Sequence, residues 1–177
     1  PGAPDGVEAG IERLADEDVT EPIAPDRVRD LVDEVGADDE RKRDTGAFFK
    51  SIHGTMNHLL LGDRIWLGRF TGKPFEAKSL DQELYSGFAQ LRSERKATDA
   101  AISDWIASLS DGDLAGQLSY MSLVNPAPRR LPLWLAVTHF FNHQTHHRGQ
   151  LTTLLAQRGI DPGVTDLIWL PGLQTYG

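Results

Sequence analysis

The sequence is most informative about the fold over residues 132–158, which read PLWLAVTHFFNHQTHHRGQLTTLLAQR. At about 3.6 residues per turn, one side of a helix through this stretch carries a single stripe: Ala136, Phe140, His143, His147, Leu151 and Leu154. Pro132 suits the first position of a helix because it has no N–H to satisfy, and Gly159 suits a C-terminal cap. We therefore predict a long helix, the fourth of the chain, whose buried face contains two histidines.

Three further helices are predicted before this one. The first ends at Gly36 and is indicated by apolar residues at helical spacing, namely Val28, Leu31, Val32 and Val35. A charged connection over residues 36–46 follows, with Thr45 as a candidate N-cap for a second helix over residues 46–70. A third helix of about thirty residues is predicted over residues 79–110, because its apolar residues keep the helical period.

Residues 118–131 separate the third helix from the fourth and contain the turn-forming run Asn125-Pro126-Ala127-Pro128. Such a run favours extended chain and a turn, so we predict a short irregular or hairpin excursion here. The predicted fold class is therefore all-α, a four-helix bundle. Its single domain is expected over residues 26–177, after a loosely held N-terminal segment, residues 1–25, that is rich in proline, glycine and acids.

Composition excludes several classes of function. The formal net charge of −8 argues against a nucleic-acid partner, because phosphate binding depends on clustered Lys and Arg. The longest apolar stretches fall short of the roughly 20 residues that span a bilayer, so no membrane partner is expected. The chain has no cysteine, so a metal must be bound by nitrogen and oxygen, and a reacting thiol must come from outside. Absence of cysteine is also consistent with the cytoplasmic location that we expect.

Four of the six histidines lie close together in the predicted fourth helix: His139, His143, His146 and His147. Residues four apart are separated by about 40° around a helix axis and by one turn along it, so His143 and His147 can reach one ion. Burying two unsatisfied imidazoles costs about 1–3 kcal/mol for each polar group, and a metal ion would satisfy both. Spacing alone leaves two competing pairs open, His139 with His143 and His143 with His146.

The predicted second helix offers a third ligand, either His53 or His58. These two residues are five apart and point about 140° from each other, so we expect only one of them to face inward. His58 shares an apolar row with Leu61 and Ile65, whereas His53 lies near the charged end of the helix, and we therefore prefer His58. Three imidazoles leave a coordination position for water or substrate, as catalytic metal sites require.

Two segments, GAFFKSIHGTMNHLLLGDRIWL at residues 46–67 and HFFNHQTHHRGQ at residues 139–150, resemble the DinB-like family of bacterial four-helix bundles. That family includes bacillithiol- and mycothiol-dependent transferases and isomerases. The resemblance implies a divalent metal held by His58, His143 and His147. Imidazole accepts zinc, nickel, iron and manganese, of which we favour zinc or nickel. The first helix departs from the family pattern, because nothing before Val28 resembles the aromatic, asparagine-rich helix usual there.

The resemblance also implies a function, that of a metal-dependent thiol S-transferase or isomerase acting on a small-molecule electrophile with a low-molecular-weight thiol. Two alternatives remain open, a metal-dependent hydrolase and a non-enzymatic, stress-related metal- or ligand-binding protein. The resemblance further favours a homodimer. Its interface is expected to use the second or third helix and the apolar segment Leu167-Ile168-Trp169-Leu170.

The sequence also predicts where three groups of side chains outside the histidine set lie or what they contact. Asp63 is expected either to orient Arg64 or a ligand histidine through a hydrogen bond, or to form a salt bridge at the surface or between helices. The large aromatic residues at helical spacing are expected in the core: Trp66, Phe70, Trp105 and Trp134. Arg148 is expected on the surface.

Overall fold

The structure, a computed structural model, describes residues 32–163 and Thr165. Its elements in chain order are α1 (Asp38–Lys42), α2 (Ile52–Phe70), α3 (Phe88–Ala107), α4 (Asp111–Leu114), β1 (Gln117–Met121), β2 (Pro128–Pro132) and α5 (Leu133–Ala156). Residues 32–34 are helical as well and lead into Gly36, whose φ of 79° ends the first predicted helix. Helix dominates the described chain, and the predicted all-α class is confirmed.

Helix α2 lies at the centre of the fold and packs against both α3 and α5. One buried apolar cluster joins these three helices to the end of the first predicted helix: Val32, Ile52, Met56, Leu60, Phe88, Leu91, Leu151, Leu154 and Leu155. The stripe predicted on the fourth helix supplies two members of this cluster, Leu151 and Leu154. Burial of such side chains contributes about 25 cal/mol per Å², so this cluster stabilises the packing of the three helices.

The second helix begins later than predicted. Its N-cap is Ser51, whose Oγ accepts a hydrogen bond from Gly54 N at 3.0 Å. Thr45 is not a cap, and its hydroxyl donates instead to the Lys50 carbonyl at 2.9 Å. Residues 46–50 form a tight turn because local side-chain bonds to the backbone compete with helix formation.

The third helix is also shorter than predicted, since it starts at Phe88 and residues 71–87 contain neither helix nor strand. The reason is a tertiary contact with α2. The Asn57 side chain accepts from Leu84 N and Tyr85 N at 2.9 and 3.0 Å and donates to Tyr85 O at 3.1 Å. These backbone groups are satisfied by a distant amide, so the helical period of the segment does not decide its structure. A short helix, α1, occupies the connection predicted over residues 36–46.

The hairpin predicted between the third and fourth helices is confirmed. Strands β1 and β2 are antiparallel, with Gln117 opposite Pro132 and Met121 opposite Pro128. Helix α5 follows β2 directly, so Pro132 lies at the N-cap position instead of the first helical position. After α5, Gly159 adopts a φ of 74°, as expected for a residue that ends a helix.

The core prediction is met only in part by Trp66, Phe70 and Trp105, which pack against one another but are half-buried. The Phe70 ring stacks on Trp105 at 4.3 Å, and Trp66 lies 5.7 Å from Phe70. The core prediction for Trp134 is wrong, because this residue is 53% exposed in the first turn of α5. Trp134 precedes Ala136 by two residues, which is about 200° around the helix axis, so it faces away from the buried stripe that Ala136 and Phe140 define.

Apart from Gly163 and Thr165, the described residues belong to one compact unit, Val28–Pro162. The predicted N-terminal segment, residues 1–25, and the apolar segment, residues 167–170, lie outside the described residues. Among the described residues, no helix is both long enough and apolar enough to cross a membrane. The homodimer stays a prediction, which light scattering at micromolar concentration would test.

Candidate metal centre

Three histidine side chains from two helices converge on one point. The Nε2 atom of His147 lies 3.2 Å from His58 Nε2 and 3.1 Å from His143 Nε2. All three offer a ligand atom within 4.8 Å of the other two. Two nitrogens bound to one zinc ion at about 2.0–2.1 Å lie about 3.4 Å apart in a tetrahedral site, so the observed spacing is close to that of a shared ion.

The close approach of α2 and α5 depends on a glycine. A Cβ added at Gly62 would lie 3.0 Å from Cε1 of His143, so the imidazole ring packs against bare backbone. His143 and His147 are successive residues of the predicted stripe, and His147 is buried with Phe140 and Leu151. The helical period thus aims both rings at α2, and Gly62 leaves space for one of them.

Hydrogen bonds at the opposite ring nitrogens fix the tautomers of two histidines. His58 Nδ1 lies 2.8 Å from Leu80 O, which can only accept, so Nδ1 carries the proton. His147 Nδ1 donates to Gln150 Oε1 at 2.8 Å, and the amide nitrogen of Gln150 faces His146 Nε2 at 3.2 Å. The Nε2 atoms of His58 and His147 therefore both present lone pairs, at a separation of 3.2 Å.

Two lone pairs that face each other repel, and a cation between them converts that repulsion into coordination. Backbone or side-chain carbonyls that orient a metal-ligating imidazole in this way are typical of metal sites. Among the described residues, Nδ1 of His143 is buried without a hydrogen-bond partner, so no carbonyl fixes its tautomer. The donor set of His58, His143 and His147 fits a divalent ion of the kind that imidazole binds.

Burial keeps these imidazoles neutral. Desolvation is the main cause that lowers the pKa of His143 to about 4, and the neighbouring His147 and His58 lower it further. Burial likewise lowers the pKa of His58 and of His147 below the ordinary value of 6.5. Neutral imidazole is the form that binds a metal, so protons compete weakly at this site near neutral pH.

The other three histidines lie outside this set. His146 is exposed and faces Gln150, while His139 is exposed and lies 5.0 Å from the ring of Trp66. Of the histidine pairs that helical spacing left open, the structure brings His143 and His147 together, and neither His139 nor His146 joins them. His53 differs from its prediction, because it is only 3% exposed and its Nε2 donates to Tyr85 O at 2.9 Å. Both His53 and His58 are buried, but Nε2 of His53 faces Tyr85 O, whereas Nε2 of His58 faces His147.

A cleft of about 960 Å³ gives access to the cluster, and His58 and His147 both line it. Its wall includes residues from the turn before α2 and from the segment before α3: Phe48, Phe49, Leu80 and Glu83. The Phe49 ring stacks on His58 with centroids 3.8 Å apart and an interplanar angle of 16°. From the sequence, neither Phe49 nor Leu80 had a role at the site, because only their tertiary contacts with His58 provide one.

The comparison with family models accords with this geometry, because the model described as "DinB family" matches residues 24–175. The chain belongs to the DinB family. The match covers all seven described elements and all three clustered histidines. Neither the curated proteins nor the solved structures compared with it include a significant match.

A buried ion pair lies beside the histidine cluster of this DinB-family chain, on the side of α3. Asp63, 1% exposed, pairs with Arg95 of α3 and accepts a hydrogen bond from Gln144 of α5 at 3.0 Å. Of the two expectations for Asp63, the salt bridge is the one found. Burial raises the pKa of Asp63, and Arg95 and Gln144 act in the opposite direction. The pair links three helices next to His143, the neighbour of Gln144.

The contact between Gly62 and His143 predicts that Gly62→Ala weakens metal binding without weakening the fold. The added methyl group displaces the ring by a few tenths of an ångström, and we expect roughly tenfold lower metal affinity as the ligand geometry is disturbed. Alanine favours a helix over glycine by about 1 kcal/mol, so the metal-free variant should melt at an equal or higher temperature.

The matched control for this substitution is Gly149→Ala in α5, where an added Cβ meets nothing within 4 Å. Metal affinity is measured by competition with a chelating dye, and stability by thermal melting of the metal-free proteins. Equal affinity in both variants would contradict the role assigned to Gly62.

Proposed function

We propose that the chain binds one divalent metal ion through the Nε2 atoms of His58, His143 and His147. The observation that supports this most strongly is the pair of tautomers fixed by Leu80 O and Gln150 Oε1, which leaves two lone pairs face to face. Zinc or nickel is the ion we favour, because three neutral imidazoles suit both. Elemental analysis of protein purified without added metal identifies the ion, and a substoichiometric total of all divalent metals would contradict the proposal.

We further propose that the metal serves an enzyme that joins or rearranges a small electrophile with an external low-molecular-weight thiol. The resemblance to thiol-dependent transferases and isomerases supports the reaction class, and the complete absence of cysteine requires the thiol to come from outside. A bound divalent cation lowers the pKa of a coordinated thiol and so supplies a thiolate near neutral pH.

The residues of the chain would bind the ligand, orient the imidazoles and shield His58 from water. His58 and His147 line the cleft, so a ligand in the cleft can reach the proposed ion. Phe49 covers one face of the His58 ring and excludes water from it. Leu80 and Gln150 hold the imidazoles in the tautomer that coordination requires, which lowers the reorganisation needed when a ligand binds.

Steady-state assays distinguish this function from its alternatives. Metal-loaded protein is mixed with a small thiol and a small electrophile, and in parallel with an ester or an amide in the absence of thiol. Thiol-dependent turnover that disappears in His147→Ala is the expected result. Turnover of the ester or amide alone would indicate a hydrolase, and no turnover in either assay, with metal bound, would indicate a binding protein.

Chelation should lower the melting temperature without unfolding the protein. An ion that binds only the folded state stabilises it by about 2.7 kcal/mol at a free concentration 100 times its Kd. The apolar cluster around Leu60 and Leu155 contains none of the three histidines, so we expect it to keep the helices packed without the ion. Far-ultraviolet circular dichroism with and without chelator provides the measurement. A metal-free form that is unfolded at room temperature would show that the site, and not the core, maintains the fold.

A further inference from the structure

An aromatic ring stands exposed at the cleft beside the proposed metal site. Phe48 lines the cleft and is 86% exposed, the largest exposed fraction among the large apolar residues of the described chain. Single exposed apolar residues are common on protein surfaces, so exposure by itself assigns no role. The backbone that carries this ring gives the second observation.

The turn that presents Phe48 is held in an unfavourable conformation. Lys50 has a φ of 67°, and among the described residues it is the only one other than glycine with a positive φ. A side chain in this region costs free energy, and such strain persists only where surrounding contacts enforce it. Here Thr45 N donates to Lys50 O at 2.7 Å, and Lys50 N donates to Ala47 O at 2.7 Å.

The same turn is pressed closely against α2. A Cβ at Gly54 would lie 2.1 Å from the carbonyl oxygen of Phe49, a distance that only glycine permits. This contact places Phe49 over His58 and leaves the adjacent Phe48 ring open to the cleft, with the two phenyl centroids 4.8 Å apart. The unfavourable backbone conformation of Lys50 and the close contact that requires glycine at position 54 thus position the Phe48 ring beside the histidine cluster.

We propose that Phe48 is a specificity-determining residue that binds a flat apolar group of the ligand while another atom of that ligand coordinates the metal. The inference rests on the proposed metal site. One ring, that of Phe49, separates Phe48 from His58, so the ligand class is a small molecule with an aromatic or planar apolar group about one ring away from its metal-binding atoms.

Two hydroxamates that share a metal-binding group test this inference. Benzohydroxamate carries a phenyl ring, whereas acetohydroxamate carries a methyl group in its place. We expect metal-loaded wild-type protein to bind benzohydroxamate more tightly, and Phe48→Ala to weaken that binding about tenfold while acetohydroxamate changes less than about twofold. Phe48→Leu keeps apolar area but loses the ring, so its affinity for benzohydroxamate should lie between those of the wild type and Phe48→Ala. Calorimetric titration gives the affinities.

The matched control is Val124→Ala, which removes an apolar side chain that is 77% exposed, lies in the turn between β1 and β2, and does not line the cleft. It should leave both affinities unchanged. Equal binding of the two hydroxamates by the wild type, or an equal loss of both in Phe48→Ala, would overturn the role of Phe48 and leave the metal site intact. If neither hydroxamate binds metal-loaded wild type more tightly than chelator-treated wild type, the ion does not accept such a ligand and this inference is overturned, whereas the metal site itself is tested by metal content.

Discussion

Replacing either histidine of α5 that belongs to the cluster, in His143→Ala or His147→Ala, should remove nearly all bound metal. Each variant leaves two imidazoles where three converge, and we expect metal affinity to fall by about 100-fold or more, beyond the 10- to 100-fold typical of losing only a residue that orients a ligand. His58→Ala should behave in the same way, because its Nε2 is the contribution from α2. Metal content after gel filtration and dye competition give the measurement.

Two neighbouring histidines provide the controls. His146→Ala should retain metal because His146 is exposed and contacts Gln150, although Gln150 in turn accepts from His147 and a modest loss is expected. His53→Ala should retain metal as well, since its Nε2 is occupied by Tyr85 O. Metal loss in His53→Ala equal to that in His58→Ala would show that the wrong residue of α2 has been assigned.

Breaking the ion pair beneath the site should cause the largest loss of stability. Arg95→Met removes the charge that faces Asp63 and leaves a carboxylate that is 1% exposed with only Gln144 as a hydrogen-bond donor among the described residues. Removing one partner of a buried pair costs about 3–5 kcal/mol, because the remaining charge stays desolvated. Urea denaturation of the metal-free proteins at pH 7 measures the free energy of unfolding.

The loss in Arg95→Met should depend on pH in a definite direction. Burial raises the pKa of Asp63, and Arg95 opposes that rise, so the substitution raises the pKa further. A carboxyl group whose pKa is higher in the folded state than in the unfolded state destabilises the fold when it is ionised. That destabilisation disappears as the pH falls and the group takes up a proton. The deficit should therefore shrink between pH 7 and pH 5.

The control on the same helix is Arg92→Met, which breaks the surface ion pair with Asp33 at 2.8 Å. Exposed pairs contribute about 0–1 kcal/mol, so this variant should remain close to the wild type. A loss in Arg92→Met as large as that in Arg95→Met would show that burial is not the cause.

The sequence by itself determined the class of the fold and placed candidate metal ligands on two helices. Periodicity in residues 132–158 predicted a helix with His143 and His147 on its buried stripe, and the structure has this helix with His147 buried and His143 half-buried. Turn-forming residues predicted the hairpin between residues 118 and 131. These features are local, because helical spacing and turn chemistry depend on residues that are near one another along the chain.

Only the tertiary structure decided which nitrogen atoms meet and what holds them. Periodicity shows that a residue is buried but not what lies opposite, so it could not place His53 against Tyr85 or rule out the competing histidine pairs. Leu80 O fixes the tautomer of His58 from 22 residues away, and Asn57 holds a segment whose helical period predicted a longer third helix. Such contacts join residues that are distant in sequence. A single long-range hydrogen bond does not recur along the chain, so no periodicity in the sequence reveals it.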